Sequence, residues 1–129
     1  ITQRLLDGCC DELARLKIPK KNIQVIKVPG SFEIPIIALK AAKKKSINAV
    51  ICLGAVIRGE TYHFEMVSQG VTQGIMDVSL QTGKPVIFGV LTTETVEQAY
   101  ARSEKRGNNK GSEAALTALR MIDAISEVK

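Results

Sequence analysis

The sequence predicts an α/β fold on two observations. Short runs of apolar and β-branched residues alternate with longer stretches of helical periodicity, and two of those runs are continuous enough to be strands covered on both faces. The chain opens on helical spacing at Leu5, Leu6, Cys9, Leu13 and Leu16, broken by Pro19 and by Lys20-Lys21-Asn22. Ile23-Gln24-Val25-Ile26-Lys27-Val28 then reads as a strand that stops at Pro29-Gly30. Ile34, Ile37, Ala38, Ala41 and Ala42 predict a helix from Glu33 to Lys45, with Lys40, Lys43, Lys44 and Lys45 gathered where cations suit the helix dipole. Ala49 to Leu53, ending at Gly54, is the second strand. A long helix follows from Glu65 to Gln81, closed by Gly83 and Pro85. Val86 to Leu91 is the third strand, and helices over Thr95–Ser103 and Gly111–Glu127 flank a polar link from Glu104 to Lys110.

Three strands against five helices are unbalanced, and the chain begins directly on a helix. The simplest completion is a first strand upstream of Ile1, giving a four-stranded parallel sheet in a three-layer α/β/α sandwich of the flavodoxin-like kind. Residues 1–129 read as a single domain, with no internal repeat, low-complexity tract or linker.

Composition narrows the function classes. A chain of 129 residues with 45% hydrophobic content can build a core without disulfides or metals, which excludes disordered and collagen-like classes. Only 4% of residues are aromatic, which argues against a nucleic-acid module built on stacked bases. The formal charge of +5, from 18 basic against 13 acidic residues, therefore points elsewhere. Cys9, Cys10 and Cys52 form no C-x-x-C pair or disulfide framework, so a reduced, cytosolic setting is expected. No apolar stretch approaches the roughly 18 residues of a membrane span, and no secretory pattern opens the chain.

In an open parallel sheet, ligands bind beyond the carboxyl ends of the strands. After the first strand, Ser31 is placed to cap the following helix, and Phe32 either belongs to the turn or covers the sheet end. After the second, Gly54 to His63 sets two glycines, Arg58, Thr61 and the only histidine before a helix start, where free amides attract an anion. A phosphate fits at Gly59 to Thr61, although neither G-x-x-x-x-G-K-[ST] nor G-x-G-x-x-G is present. His63 is either a structural residue at a helix start or a proton carrier, since imidazole titrates near neutrality. After the third strand, Thr92 or Thr93 is expected to cap the next helix. Arg102 and Lys110 bracket Gly107-Asn108-Asn109 and by themselves read as solvated surface charges. No carboxylate pair, H-E-x-x-H or Cys/His cluster points to glycosidase or metal chemistry, and Cys52 reads as packing.

Four motifs then carry a resemblance: Val28-Pro-Gly-Ser-Phe-Glu-Ile-Pro35, Leu53-Gly-Ala-Val-Ile-Arg-Gly-Glu-Thr-Tyr-His-Phe64, Gly83-Lys-Pro-Val-Ile-Phe-Gly-Val-Leu-Thr-Thr93 and Gly107-Asn-Asn-Lys-Gly111. In this order the sequence closely resembles the lumazine synthase family of riboflavin biosynthesis. The resemblance implies a cofactor-free, metal-free condensation of 5-amino-6-(D-ribitylamino)uracil with 3,4-dihydroxy-2-butanone 4-phosphate. It assigns Ser31, Phe32 and Glu33 to the ribitylaminouracil, main-chain groups near Val56 and Ile57 to the pyrimidine, and Gly59, Glu60 and Thr61 to phosphate. It further implies that Arg102 pairs with the phosphate, that Lys110 lies near it, that Phe88 is an aromatic at a subunit boundary, and that His63 shuttles protons.

The resemblance also implies a first strand ending in an aromatic-Asn pair, absent from this sequence, whose ring stacks on the pyrimidine. A homo-pentamer with sites shared between neighbours is implied, and in many members a shell of twelve pentamers; the short link from Arg102 to Gly111 points toward the shell. A riboflavin synthase is the implied functional partner, with no nucleic-acid or membrane partner. Two other classes remain open on the residues alone. One is a lyase or isomerase using Lys110 as a Schiff base, which borohydride would trap. The other is a non-catalytic flavin or lumazine binder, which would release no phosphate.

Overall fold

The computed structural model describes all 129 residues. Val50–Ile57 (β1) and Val86–Thr93 (β2) pair in parallel, with Val50 opposite Val86 and Ile57 opposite Thr93. Both strands outrun their expected ends, because Val56, Ile57, Thr92 and Thr93 are β-branched and find a partner alongside. The crossover that a parallel pair requires is the long helix α3 (His63–Thr82), closed by Gly83 at φ +67°, a conformation that glycine adopts without strain.

Alternation along the strands directs side chains to two opposite layers. Cys52, Val56, Val86 and Val90 pack with Ile34, Ala38 and Ala42 of α2 (Ile34–Ala42) and with Val71, Ile75 and Val78 of α3. On the other face, Ile51, Leu53 and Ile87 meet Cys9 and Leu13 of α1 (Thr2–Arg15) and Ala114, Ala115 and Ala118 of α5 (Lys110–Glu127). The short helix α4 (Val96–Ala101) adds Ala99 to a cluster with Leu5 and Leu91. The parallel α/β organisation with helices on both faces is therefore as the sequence predicts, and it is consistent with the flavodoxin-like arrangement.

Several local expectations are corrected. Ile23 to Val28 does not form a strand, and the sheet has two strands. A strand exists only where its main chain has a partner, and residues 24–28 make no backbone–backbone hydrogen bond. Ile23 and Val28 still reach opposite layers, as an extended chain dictates, while Val25 and Ile26 between them stay half exposed. The helix expected over Glu33–Lys45 begins with a 3-10 turn, Ser31–Glu33, and ends at Ala42, so Lys43 to Lys45 lie beyond it. Ser31 makes no capping hydrogen bond there. The next cap is Thr95 rather than Thr92 or Thr93: its hydroxyl accepts from the Gln98 amide at 3.1 Å, while the Thr93 hydroxyl donates to the Thr95 carbonyl at 2.9 Å.

α1 and α5 cross closely where Gly8 and Gly111 meet the Asn109 side chain. The Asn109 amide nitrogen donates to the carbonyls of Arg4 and Glu104, both at 3.0 Å, and its oxygen caps α5 by accepting from the Ser112 amide. A Cβ on Gly111 would collide with the Leu5 carbonyl, a backbone atom that cannot yield without moving α1. Gly59 faces open space. Gly111→Ala is therefore expected to cost about 3 kcal/mol or more, and Gly59→Ala under about 0.5 kcal/mol, as read by urea denaturation of the two variants.

Candidate active site

Strand ends and helix starts converge beyond Ile57 and Thr93. The Ser31–Glu33 turn lies against β1 and α3, let in by small residues on both. A Cβ on Gly54 of β1 would lie 2.8 Å from the Ser31 hydroxyl, and the Gly70 position of α3 is filled by the Phe32 ring. Phe32 is thus seated against α3 while 58% of it remains exposed, and Glu33 is exposed beside it.

Between β1 and α3 runs the exposed loop Arg58–Tyr62. The amides of Gly59, Glu60, Thr61 and Tyr62 donate to no protein acceptor, and they precede the positive end of a 20-residue helix. Anions are favoured at such a place. His63 is the first residue of α3 and is exposed; its amide contacts the Thr61 hydroxyl at 3.3 Å. In β1, the main chain of Val50 and Arg58 faces β2, through bonds to the Pro85 and Thr93 carbonyls. By alternation Val56 also faces β2, and its side chain is buried, whereas the main chain of Ile57 faces the unpaired edge.

Arg58 organises this end of the sheet, a role the residue types alone did not reveal. Its Nε donates to Glu94 at 2.5 Å, its Nη1 donates to Glu65, and its guanidinium stands 4.5 Å over the Phe64 ring. The Arg58 hydrogen bond holds the Glu65 carboxyl below its ordinary range and, with that to Glu94, raises Arg58 itself. Arg58 and Glu65 stand seven residues apart, so a sequence signal existed. None linked Arg58 to Glu94, 36 residues away.

Phe88, Arg102 and Lys110 gather elsewhere, in a cavity of about 590 Å³ that runs along β2 and the start of α5. The segment from Arg102 to Lys110 folds back on itself: the Lys110 amide donates to the Arg102 carbonyl at 2.9 Å, and Ser103 bridges Asn109. This pinch sets the two cations, eight positions apart in sequence, on one wall. Arg102 Nη1 donates to the Gln98 carbonyl at 2.9 Å, and Lys110 Nζ pairs with Glu113 at 3.1 Å. Neither Ser31–Glu33 nor Gly54–His63 lines that cavity. The candidate residues thus fall into two groups within one chain.

Cys52 is buried, with its thiol pushed up to about 12 by desolvation, in keeping with packing rather than nucleophilic attack. No helix is long and apolar enough to cross a membrane. Comparison with known proteins matches residues 1–126 to the family described as 6,7-dimethyl-8-ribityllumazine synthase. The chain belongs to that family. It is 52% identical over 128 residues to the 6,7-dimethyl-8-ribityllumazine synthase of Syntrophus aciditrophicus (strain SB), covering 99% of this chain and 83% of the relative. It is 50% identical over 129 residues to the protein of the same name from Desulfotalea psychrophila (strain LSv54 / DSM 12343), covering 100% and 83%. The family match spans both groups of candidate residues.

Because Glu65 is lowered, its pairing with Arg58 favours the folded arrangement above the ordinary carboxylate range and is lost as pH falls through the lowered value. Carboxyl NMR titration is expected to show the Glu65 midpoint rising in Arg58→Ala.

Proposed function

We propose that this chain condenses 5-amino-6-(D-ribitylamino)uracil with 3,4-dihydroxy-2-butanone 4-phosphate to 6,7-dimethyl-8-ribityllumazine, phosphate and water, in riboflavin biosynthesis. The observation that carries the reading is the family match over residues 1–126, which includes the free amides of Gly59 to Thr61 and His63 at the start of α3. With the Tyr62 amide these make four unpaired N–H donors before a helix N-terminus, which suit a phosphate dianion. Ser31, Phe32 and Glu33 are assigned to the ribitylaminouracil, with Glu33 accepting from ribityl hydroxyls. Of the two residues assigned to the pyrimidine, Ile57 offers an open main chain, while that of Val56 is turned to β2 and leaves Val56 to flank the ligand.

The reaction needs proton movement more than a covalent foothold. The pyrimidine amine and the ketone form an imine with loss of one water, phosphate leaves by elimination, the resulting enol becomes a ketone, and the ribitylamino nitrogen attacks that ketone to close the ring with loss of a second water. His63 carries protons between these steps. Arg102 pairs with the leaving phosphate through a planar fork that lysine does not reproduce, and Lys110 adds charge beside it. Holding both substrates together supplies much of the rate.

Phosphate ligands fall in both groups of residues, so a complete site draws Phe88, Arg102 and Lys110 from a neighbouring copy. Exposed Ile36, Met66, Met76, Leu80 and Met121 offer apolar surface for such contacts. We assign a homo-pentamer, with a shell of twelve pentamers as its further assembly. A cytosolic setting is supported by three free cysteines, and the product's consumer is a riboflavin synthase.

Mixing the two substrates with the protein is expected to give lumazine fluorescence together with phosphate release, and borohydride is expected to trap nothing on Lys110. His63→Ala should slow turnover without abolishing it, and Arg102→Ala should be slower still; full activity of Arg102→Ala would overturn the phosphate assignment. Size-exclusion chromatography with light scattering should give a mass in multiples of five chains.

A further inference from the structure

The loop that carries the free amides has little to hold it. Gly59, Glu60, Thr61 and Tyr62 are exposed, and a side chain on Gly59 would touch nothing. Besides the last ladder bond, from the Arg58 amide to the Thr93 carbonyl at 2.9 Å, its restraints are Met66 N to the Tyr62 carbonyl at 3.1 Å and the Thr61 hydroxyl contact. An anion site needs its donors fixed in direction before the ligand arrives, so something else must set this loop.

We propose that Arg58 is a positioning residue for the phosphate loop, clamping it between the carboxylates of Glu65 and Glu94; this rests on the synthase reading. Three anchors meet at one planar cation. Glu94 follows β2, while Phe64 and Glu65 lie in the first turn of α3, so the clamp joins both ends of the Arg58–Tyr62 loop to the second strand. Its Nε and Nη1 donors are engaged by carboxylates, which separates this role from that of a direct phosphate ligand such as Arg102. A lysine ammonium offers no planar fork and reaches one carboxylate at a time.

The clamp has an electrostatic consequence as well. Glu65 and Glu94 stand beside a loop meant for a dianion, and without a cation between them they would repel it. Arg58 offsets their charge at contact distance, and the remaining Glu65 oxygen is buried without a hydrogen-bond partner, so it has no other cation to answer it.

The test is kinetic and binds the two substrates to different outcomes. Arg58→Ala is expected to raise KM for 3,4-dihydroxy-2-butanone 4-phosphate about tenfold, with kcat and the KM for the pyrimidine within about twofold. Arg58→Lys should recover part of the loss. Glu94→Gln, at an exposed position that leaves the fold intact, should raise the same KM about threefold. In the Arg58→Ala background, Glu94→Gln should instead improve KM, because a repelling charge is gone. Affinity for inorganic phosphate, measured by calorimetry, should fall in parallel. An unchanged phosphate-substrate KM in Arg58→Ala, or equal rises in KM for both substrates alongside a lower Tm, would overturn the clamp. Wild-type protein that forms no product would overturn the synthase reading, and inorganic phosphate affinity in the variants would still decide the clamp.

Discussion

The parallel ladder between β1 and β2 is the constraint on which the rest of the structure depends. Parallel strands point their carboxyl ends the same way, so the segments after Ile57 and Thr93 emerge side by side. That alone brings Arg58 to Glu94 across 36 positions. The crossover helix starts within a few residues of β1, so its N-terminus, with His63 and the free loop amides, arises at the same end of the sheet. Apolar side chains leave both faces of the ladder, so α2 with α3 and α1 with α5 close over opposite sides of it.

A second set of contacts positions the other half of the candidate chemistry. Gly8 and Gly111 let α1 and α5 approach closely, and the Asn109 side chain ties α1, the loop from Arg102 and the first turn of α5 together. The loop can then double back so that Arg102 and Lys110 share one wall along β2. The polar Gly-Asn-Asn-Lys stretch is therefore a joint built for close approach, and its buried Asn109 is satisfied at every contact it makes.

Helix periodicity and apolar runs were legible because they report burial, which local pattern encodes directly. All five helices lie where Leu5 to Leu16, Ile34 to Ala42, the stretch before Gly83, the residues after Thr95 and the stretch after Gly111 placed them. Ile23 to Val28 misled because a β-branched run states a preference for extended backbone, whereas a strand requires a partner's hydrogen bonds. Ser31 misled in a similar way. Its hydroxyl suits a cap, yet the gap left by Gly54 draws it against β1. Among the candidate site residues, the place of Gly59–Thr61 and His63 between a strand and a helix start was readable from residue type and spacing. Arg58 stood in the same motif without a role, since nothing local joins it to Glu94.

By itself the sequence determined the α/β class, the order of its helices, the buried character of β1 and β2, and the motifs that tie the chain to its family. These follow from composition, periodicity and residue identity along a single stretch of chain. Only the tertiary structure decided that Arg58 is shared by two carboxylates, that Arg102 and Lys110 face one cavity, and that this cavity is separate from the loop bearing His63. Each depends on a register between distant segments. Such a register is set by the parallel ladder and by the close crossing of α1 and α5, and no residue carries it alone.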